Sequence, residues 1–596
     1  MENLLNNLKS LLQKDERLVS EGELLKNKLI ELAIKLDKDL IKLLLSDEKM
    51  KEVFFVEIDG VLVFDKDKFI KFVSNKQFLP DSYTAFKNKI GLTEDGEFIS
   101  EKREVVLSWP YKDCVLEGGM TKEDQKRDEI FWNETLAPDE ISRLLDPKVF
   151  TNAKRIDKNG EHKFDKFKTD ENGDPEGKPS ASNGASIKDN LIIKGNNLLA
   201  LHSLRKRFAG KVKLVYIDPP FNTGSDTFTY NDRFSQSTWL TFMKNRLEVA
   251  KDLLDKDGNI FVHIDDNQCF ELKVLMDEIF KKENFVETII WAYGSPSGGR
   301  AAGAKLVGIH DYILHYAKDY PIRKQFKVYT PYSDKYLKDW FKYRDENGKV
   351  YQRRMRGRDE KGNVIWEKQY LDESLGVPGC TVWTDIKQIY ADPRAFKAEQ
   401  RRYTEMTGYD TQKPEALLKR ILEYTTSEGD LVLDFFNGSG TTTAVAHKMK
   451  RQWIGVEQLE EGAKIFIKRL KNVLNGDQTG ISKSVGWKGG GDFVYLELAK
   501  WNENFVEKIK KAKTTEELQK LWETIKEKAF LSYKVDIKTI DEHAKDFTDL
   551  SFENQKRFLL ECLDKNHLYI NYSEIDDEEY GVSEEDKKLN KEFYKS

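Results

Sequence analysis

Short apolar runs alternate with longer amphipathic stretches through the middle of this 596-residue chain, and this alternation constrains its fold more than any other feature. Runs typical of β-strands lie at 191–194, 212–217, 259–264, 287–292, 311–317, 430–435 and 452–457. Stretches typical of helices lie at 238–254, 268–281 and 413–426. Such an order predicts an α/β fold, a mainly parallel sheet with helices on both faces. Ligand-binding side chains are then expected where the strands end.

The strand predicted at 212–217 is followed directly by Asp218, Pro219, Pro220 and Phe221. Neither proline can donate a backbone hydrogen bond, and both fix φ at about −65°. The turn is therefore rigid, and its carbonyls stay free. A carboxylate, a free carbonyl and a flat ring at one point suit a planar group that bears an amine. A Pro-Pro turn that only closes a strand is the alternative, and the short motif alone does not exclude it.

A strand, a glycine turn and the start of a helix follow one another from Leu431 to Ala444. The glycines let backbone approach a ligand closely, and the threonines behind them suit a helix N-terminus. The next strand ends in an acid, where a ribose diol is held in Rossmann-like sheets. Because the third glycine of the dinucleotide motif and the Gly-Lys-Ser/Thr of a phosphate loop are absent, a nucleoside without a pyrophosphate fits better, and S-adenosylmethionine is the obvious one. The candidate donor-binding residues in this part of the chain are Asp434, Phe436, Asn437, Gly438, Ser439, Gly440, Thr441, Thr442 and Glu457.

The two motifs together resemble those of the amino-DNA methyltransferases. Asp218-Pro219-Pro220-Phe221 is similar to the catalytic motif of that family, and Asp434-x-Phe436-x-Gly438-x-Gly440 is similar to its donor motif. The catalytic motif comes first, which is the permuted order of the β subgroup. This resemblance implies a Rossmann-like seven-stranded methyltransferase sheet with an inserted target-recognition domain and extra terminal regions. Four further residues match landmarks of the family and are expected to contact the donor: Asn196, Asn197, Lys413 and Pro414.

Two N-terminal segments, 109–119 and 131–138, resemble the modification subunit of type III restriction–modification systems. That resemblance implies a homodimer that recognises double-stranded DNA and works with a separate ATP-dependent restriction subunit, since no ATP-binding loop occurs here. An aspartate at the head of the catalytic motif goes with adenine in this family. Adenine N6 is therefore the expected target.

The chemistry can also be argued from the residues. An exocyclic amine is a poor nucleophile because its lone pair is delocalised into the ring. Hydrogen bonds to Asp218 and to the Pro219 carbonyl would localise that pair, while Phe221 stacks on a base flipped out of the duplex. Methylation of cytosine carbon 5 is not expected, because no cysteine lies in a Pro-Cys context. Methylation of RNA adenine and a DNA-binding specificity subunit with vestigial catalysis remain as alternatives.

A basic segment with interleaved aromatic residues runs from Arg323 to Lys368. Basic side chains neutralise phosphates, and arginines also bond to guanine edges. A solvated charged surface is the alternative, but the segment lies where the β subgroup carries its target-recognition domain. The candidate DNA-binding residues are Arg353, Arg354, Arg356, Arg358, Lys342 and Arg344.

Composition sets outer bounds on the function. With 39% hydrophobic and 34% charged residues, the chain predicts a globular protein without a membrane span, and its charged start predicts no secretory signal. Four cysteines without paired spacing predict reduced thiols in a cytoplasm and no metal site. The net charge of −5 requires any DNA contact to come from a local patch.

The predicted organisation has six parts. An N-terminal region for dimer or partner contacts precedes a loop or linker, and the methyltransferase domain is divided by the target-recognition domain. A charged helical C-terminal region, expected to contact a partner or second subunit, follows. These parts cover residues 1–150, 151–190, 191–320, 321–405, 406–488 and 489–596 in that order.

Overall fold

The chain forms two compact units, Met1–Ser108 and Trp109–Ser596. The computed structural model describes residues 2–20, 23–58, 60–73, 93–94, 97–98, 143–169, 186–224, 231–294, 306–389, 405–409, 411–532, 535–542 and 544–595. The segments 109–119 and 131–138 lie outside these residues. In the described parts of the chain, no helix is both long enough and apolar enough to cross a membrane.

The described part of the first unit consists of helices and short antiparallel strand pairs. Asp37 and Asp47 cap the third and fourth helices by accepting backbone N–H bonds, and Leu40, Leu44 and Phe54 are buried in a common core. Its elements are α1 (Glu2–Leu12), β1 (Val19–Ser20), β2 (Glu23–Leu24), α2 (Lys26–Ile34), α3 (Lys38–Leu45), α4 (Glu48–Phe54), β3 (Phe55–Ile58), β4 (Val61–Phe64), α5 (Lys66–Val73), β5 (Thr93–Glu94) and β6 (Glu97–Phe98).

The second unit is built on one large sheet. Its strands are β7 (Phe150–Asp157), β8 (Gly160–Lys163), β9 (Leu191–Lys194), β10 (Val212–Ile217), β11 (Leu254–Ile264), β12 (Phe285–Ala292), β13 (His310–Ala317), β14 (Tyr329–Thr330), β15 (Tyr343–Arg344), β16 (Val350–Arg358), β17 (Val364–Tyr370), β18 (Val377–Pro378), β19 (Val382–Trp383), β20 (Leu431–Asp434), β21 (Gln452–Glu457) and β22 (Asp492–Leu498). Eleven of them form the main sheet in the order β19-β12-β13-β11-β10-β20-β21-β9-β22-β7-β8. Strands β11, β10, β20, β21, β9 and β22 are parallel to one another, so their carboxyl ends meet at one edge.

Helices cover both faces of this sheet. Alternate residues of β10 point to opposite sides, so that Val215 and Ile217 join one core and Leu214 and Tyr216 the other. The helices are α6 (Asn197–Phe208), α7 (Gln236–Leu253), α8 (Cys269–Phe280), α9 (Asp334–Trp340), α10 (Glu415–Thr425), α11 (Thr441–Lys448), α12 (Glu460–Leu474), α13 (Asn502–Lys511), α14 (Thr515–Lys528), α15 (Ile537–Glu542), α16 (Ala544–Asp549), α17 (Phe552–Cys562) and α18 (Glu584–Tyr594). The predicted α/β class is confirmed.

The seven predicted strands are neighbours in the sheet, from β12 to β9, but the sheet is larger than the predicted seven-stranded one. Strand β19 extends one edge, and β22, β7 and β8 extend the other. Strands β7 and β8 correct the prediction of a loop or linker over 151–190. Strand β7 lies near the outer edge of the sheet, and Phe150 and Ile156 are its only buried residues. Its sequence therefore lacks the alternation of apolar and polar residues that would predict a strand.

The C-terminal region predicted from 489 onward also contributes to the main sheet, because it supplies β22. Its last helix, α18, packs on β7, where the Phe150 and Phe593 rings are 4.6 Å apart. The Asn590 side chain exchanges two hydrogen bonds with the Phe150 backbone, accepting from N–H at 2.7 Å and donating to the carbonyl at 2.6 Å. This part of the chain therefore completes the sheet edge instead of forming a separate unit.

The segment between β13 and α10 is an insertion with small sheets of its own. Strands β15, β16 and β17 form an antiparallel three-stranded sheet, and β14 pairs with β18. Strand β19 then returns to the main sheet beside β12. The insertion predicted at 321–405 is thus interrupted by a main-sheet strand at Val382–Trp383.

Candidate functional site

The turn after β10 presents Asp218 to Lys413. The Lys413 ammonium lies 2.9 and 2.7 Å from the two carboxylate oxygens, and it is 5.0 Å from the centre of the Phe221 ring. The Asp218 and Lys413 side chains are only 19% and 11% exposed. An ion pair so poorly hydrated is screened less than a surface pair, so it orients the carboxylate.

The two prolines of the turn have different surroundings. The buried Trp239 indole donates a 2.8 Å hydrogen bond to the Pro220 carbonyl. Among the described residues, no donor bonds to the Pro219 carbonyl, and Pro219 lines the cavity at the sheet edge. The turn therefore keeps one carbonyl for a ligand and uses the other for its own support.

Phe221 packs on a buried, hydrogen-bonded group of three side chains, Tyr216, His263 and Asp311. Its ring stacks on His263 at 5.8 Å with an angle of 23° between the planes. His263 Nε2 is 3.0 Å from Asp311 Oδ2, and its Nδ1 is 2.9 Å from the Tyr216 hydroxyl. With Nε2 donating to the carboxylate and Nδ1 accepting from the hydroxyl, both ring nitrogens are satisfied and the imidazole plane is fixed.

Asp311 is the acid of this group. Burial acts to raise the pKa of Asp311, but its hydrogen bond from His263 and the charge of Lys413 outweigh burial and leave that pKa below its usual value. The Asp311 carboxylate thus stays charged beside His263, on which Phe221 stacks. His263, Asp311 and Tyr216 are not among the predicted catalytic residues, and the one signal for them in the sequence is a histidine followed by two acids at the end of a strand.

The glycine turn after β20 is closed by side chains of its own motif. Asp434 accepts from the Phe436 N–H at 2.9 Å and from the Thr442 hydroxyl at 2.6 Å. Gly440 has φ +74°, and a Cβ there would lie 2.7 Å from the Phe466 Cβ, so both backbone strain and contact exclude a larger residue. The motif is therefore a rigid turn at the N-terminus of α11.

Glu457, at the end of β21, joins this turn to the next one. Its carboxylate accepts from the Gly438 N–H at 2.7 Å and from the Leu459 N–H at 2.8 Å. Burial raises the pKa of Glu457 to about 7, and burial likewise raises the pKa of Asp434 to about 7. Both carboxyls therefore change their protonation near neutral pH.

A cavity of about 630 Å³ extends along this edge of the sheet. Asp218, Phe221, Asn437 and Glu457 all line it. The Asn437 amide is buried, and neither its oxygen nor its nitrogen has a hydrogen-bond partner in the described parts of the protein. Because an unsatisfied buried polar group costs about 1–3 kcal/mol, the cavity fits a ligand with its own donors and acceptors, as a nucleoside has.

Several predicted donor-binding residues have structural contacts. Asn196 caps α6 by accepting the N–H groups of residues 198 and 199. Asn197 lines the cavity, but its side chain also accepts from Arg246 at 2.8 Å and donates to the Phe435 carbonyl at 2.9 Å. Pro414 is the N-cap residue of α10 and Ser439 lines the cavity. Contact of these residues with the donor stays a prediction.

A buried ionic network holds Lys413 against the donor turn. The Glu415 carboxylate accepts from Lys448 Nζ at 2.8 Å and from Arg469 Nη2 at 2.9 Å. Arg469 also donates to the Thr441 hydroxyl at 2.8 Å, and that hydroxyl donates to the Lys413 carbonyl at 3.0 Å. The start of α11 and the residue that pairs with Asp218 are therefore mechanically linked, a connection that the sequence did not reveal.

Five of the six predicted DNA-binding residues lie on the inserted three-stranded sheet, and Lys342 directly precedes its first strand. The Arg353 guanidinium lies over the Tyr343 ring at 4.7 Å, and Arg358 donates to the Gly362 carbonyl at 2.7 Å. Arg356 is paired with Glu367 through two hydrogen bonds. All six candidates, Lys342, Arg344, Arg353, Arg354, Arg356 and Arg358, are exposed.

Comparison with known proteins finds two family profiles. A profile described as DNA methylase matches residues 212–468, and one described as type III restriction/modification enzyme methylation subunit matches residues 37–92. The probable HindVI Mod subunit of a type III restriction–modification enzyme from Haemophilus influenzae is 34% identical, over 96% of this chain and 96% of its own length. The type II methyltransferase M.EcaI from Enterobacter cloacae is 30% identical over 55% of this chain and 76% of its own. The StyLTI Mod subunit of Salmonella typhimurium is 29% identical over 42% of this chain and 49% of its own.

Proposed function

This chain belongs to the Mod subunits of type III restriction–modification enzymes, S-adenosylmethionine-dependent DNA methyltransferases, and from that premise we propose that it methylates N6 of a flipped adenine in duplex DNA. The observation that carries the proposal is the arrangement of Asp218, the Pro219 carbonyl and Phe221 on one cavity wall. An adenine stacked on Phe221 directs its amine toward two acceptors. Both N–H bonds strengthen as positive charge develops on nitrogen, so they favour the transition state over the ground state.

Lys413 prepares Asp218 for this role. Its ammonium bridges both carboxylate oxygens, which holds the carboxylate in a fixed orientation in the absence of a base. When the adenine amine arrives, one oxygen turns from Lys413 to the amine hydrogen. Lys413 then acts as a positioning residue, held at its carbonyl by Thr441.

We assign the donor to the part of the cavity between Asn437 and Glu457. S-adenosylmethionine supplies an electrophilic methyl group on its sulfonium. Glu457 would accept from the ribose hydroxyls, and the Asn437 amide would satisfy its free donor and acceptor on the nucleoside. Phe436, at the tip of the glycine turn, lines the same cavity and covers the donor's apolar surface. The fixed turns orient the reacting atoms for an in-line displacement.

We also infer the partners from the family. A separate ATP-dependent restriction subunit and a second copy of this chain are expected to bind the protein, and chromosomal DNA as substrate implies a cytoplasmic location. The inserted domain contacts DNA through exposed basic side chains, because Lys413 is the one lysine or arginine among the described residues that line the cavity, and it is paired with Asp218. Light scattering coupled to size exclusion measures the homodimer directly, and a monomer at micromolar concentration would refute it.

The experiment that tests the proposed reaction uses methyl-labelled S-adenosylmethionine and unmethylated duplex DNA, followed by digestion to nucleosides. Label in N6-methyladenine supports the proposal. Label in N4-methylcytosine overturns the choice of base but keeps the mechanism. RNA of the same sequence is the parallel substrate, and label in RNA alone would refute DNA as the substrate.

A further inference from the structure

The β16–β17 hairpin projects from the inserted domain as a ribbon of two strands. Tyr351 and Gln352, at its base, are buried. Beyond them, residues 353–368 are exposed, apart from the half-buried Gly357 and Val364. With a rise of about 3.3 Å per residue, the exposed part is about 20 Å long. A two-stranded ribbon without a packing partner buries little apolar surface, so its side chains are available to a ligand.

A β-bulge decides which side chains share a face of this ribbon. Arg353 pairs with Lys368 and Met355 with Trp366, but the register shifts at Arg356, after which Gly357 pairs with Ile365. Strict alternation would place Arg354, Arg356 and Arg358 together. The extra residue instead moves Arg358 to the side of Arg353.

We call this side the basic face. Its residues are Arg353, Met355, Arg358, Val364, Trp366 and Lys368. The other side is the paired face, and its residues are Arg354, Arg356, Gly357, Ile365 and Glu367.

The two faces differ in charge. Among the described residues, none of the three cations of the basic face forms an ion pair, and the face has no carboxylate of its own. Arg353 lies 4.7 Å over Tyr343 and Lys368 lies 5.0 Å over Tyr351, so aromatic rings hold these cations in place. On the paired face, Glu367 neutralises Arg356.

The basic face also exposes large apolar groups. Trp366 is 58% exposed and Met355 is 55% exposed, and the two are directly opposite each other on neighbouring strands. Neighbouring cations and apolar side chains match the chemistry of a DNA groove, which presents phosphates, base edges and thymine methyl groups. The major groove is about 12 Å wide and admits a two-stranded ribbon.

Building on the proposed function, we propose that the basic face of this ribbon enters the major groove of duplex DNA and reads the target sequence. Arg353, Arg358 and Lys368 bind phosphates and guanine edges, and Trp366 with Met355 contacts apolar base surface. Arg356 stays with Glu367 and contributes little.

The test compares arginines on opposite faces of one strand. The probe is a duplex with the sequence that the wild-type protein methylates, mapped first on plasmid DNA, together with a scrambled duplex of equal length. Arg353→Ala and Arg358→Ala are each expected to weaken binding to the target duplex about tenfold and to reduce its preference over the scrambled duplex. Arg356→Ala is the matched control, and its affinity should stay within about twofold of the wild type.

Binding of S-adenosylmethionine by each variant shows that the catalytic unit is folded. Equal losses for Arg353→Ala and Arg356→Ala, or no loss for either, would overturn the assignment of the basic face. If the assignment of the basic face is overturned but the wild type still methylates adenine in DNA, the proposed function stands and only the further inference fails. If the wild type methylates no DNA at all, the proposed function fails, and this inference fails with it.

Discussion

Asp434, at the edge of the main sheet, is 3% exposed and hydrogen-bonded to its own turn, whereas Trp366, on the ribbon, is 58% exposed and belongs to no hydrophobic core of the described residues. The candidate site is rigid because the carboxylates of Asp218, Asp434 and Glu457 are each held by hydrogen bonds from neighbouring turns or from Lys413. In the part of the chain that the structure describes, the ribbon is buried at its base alone, at Tyr351 and Gln352. Under the proposed function the methyl transfer takes place at this buried edge, and under the further inference the exposed ribbon recognises DNA. Residues of the ribbon could then change without altering the core.

The largest effect expected at the edge comes from Asp218→Ala. Removing the acceptor of the amine hydrogen should slow methyl transfer about a thousandfold, because a stabilising contact of the transition state is lost. Single-turnover rates with labelled donor measure this. Affinity for target DNA should stay near that of the wild type, since the ribbon is unchanged, and a variant that methylates at the wild-type rate would contradict the catalytic assignment.

Two tryptophans test the difference in packing. Trp239→Ala removes a fully buried side chain and its bond to the Pro220 carbonyl, and should lower the free energy of unfolding by about 3–5 kcal/mol. Trp366→Ala should change it by less than about 0.5 kcal/mol. Urea unfolding followed by circular dichroism compares them, and a large loss for Trp366→Ala would mean that the ribbon has a packing partner.

Lys413→Met distinguishes two roles of Lys413, the positioning of Asp218 and contact with the methyl donor. If Lys413 positions Asp218, the rate of methyl transfer should fall about a hundredfold with little change in donor affinity. The sequence predicts a donor contact instead. Isothermal titration with S-adenosylmethionine distinguishes them, because a donor contact would weaken donor binding and leave the rate at saturating donor nearly intact.

The pH dependence of donor binding sharpens the description of the edge. The pKa of Glu457 is raised by burial to about 7, so its protonated form is favoured in the unliganded protein below that pH. Its contribution to folding stability is present below its ordinary pKa near 4.5 and is lost as pH rises through 7. Donor hydroxyls require the carboxylate, so donor affinity should rise about tenfold from pH 6 to 8.

Glu457→Gln should remove this dependence of donor affinity on pH. Glu460→Gln, at the exposed glutamate that pairs with Lys194, is the control and should keep it. Titrations at pH 6, 7 and 8 suffice. The same slope in both variants would assign the titration to another group.

The sequence predicted the position of the candidate site at one edge of the sheet, because parallel strands bring their carboxyl ends together, whereas the roles of its residues stay predictions. Asp218, Asp434 and Glu457 follow separate strands, and the predicted strand set alone placed them at one edge. The sequence could not predict that Lys413 pairs with Asp218. The two residues are 195 positions apart, and their contact depends on how the intervening chain folds back on the sheet edge. Strand β7 also escaped prediction, since its polar residues face solvent on an outer strand.

The ribbon shows a second limit. The sequence showed a basic cluster of four arginines within 353–358. Their division between two faces depends on a β-bulge that the sequence pattern did not predict. Simple alternation would have grouped Arg356 with Arg358. Only the register of β16 against β17 separates the arginine paired with Glu367 from those of the basic face.

The central claim, that reaction and recognition lie in separate parts of the chain, is tested most directly by mapping methylated adenines on plasmid DNA. Three proteins are compared: the wild type, Asp218→Ala, and the double variant Arg353→Ala with Lys368→Ala. We expect N6-methyladenine at one sequence for the wild type, none for Asp218→Ala, and methylation at a relaxed set of sequences for the double variant. Unchanged sites in the double variant, or persistent methylation in Asp218→Ala, would contradict the claim.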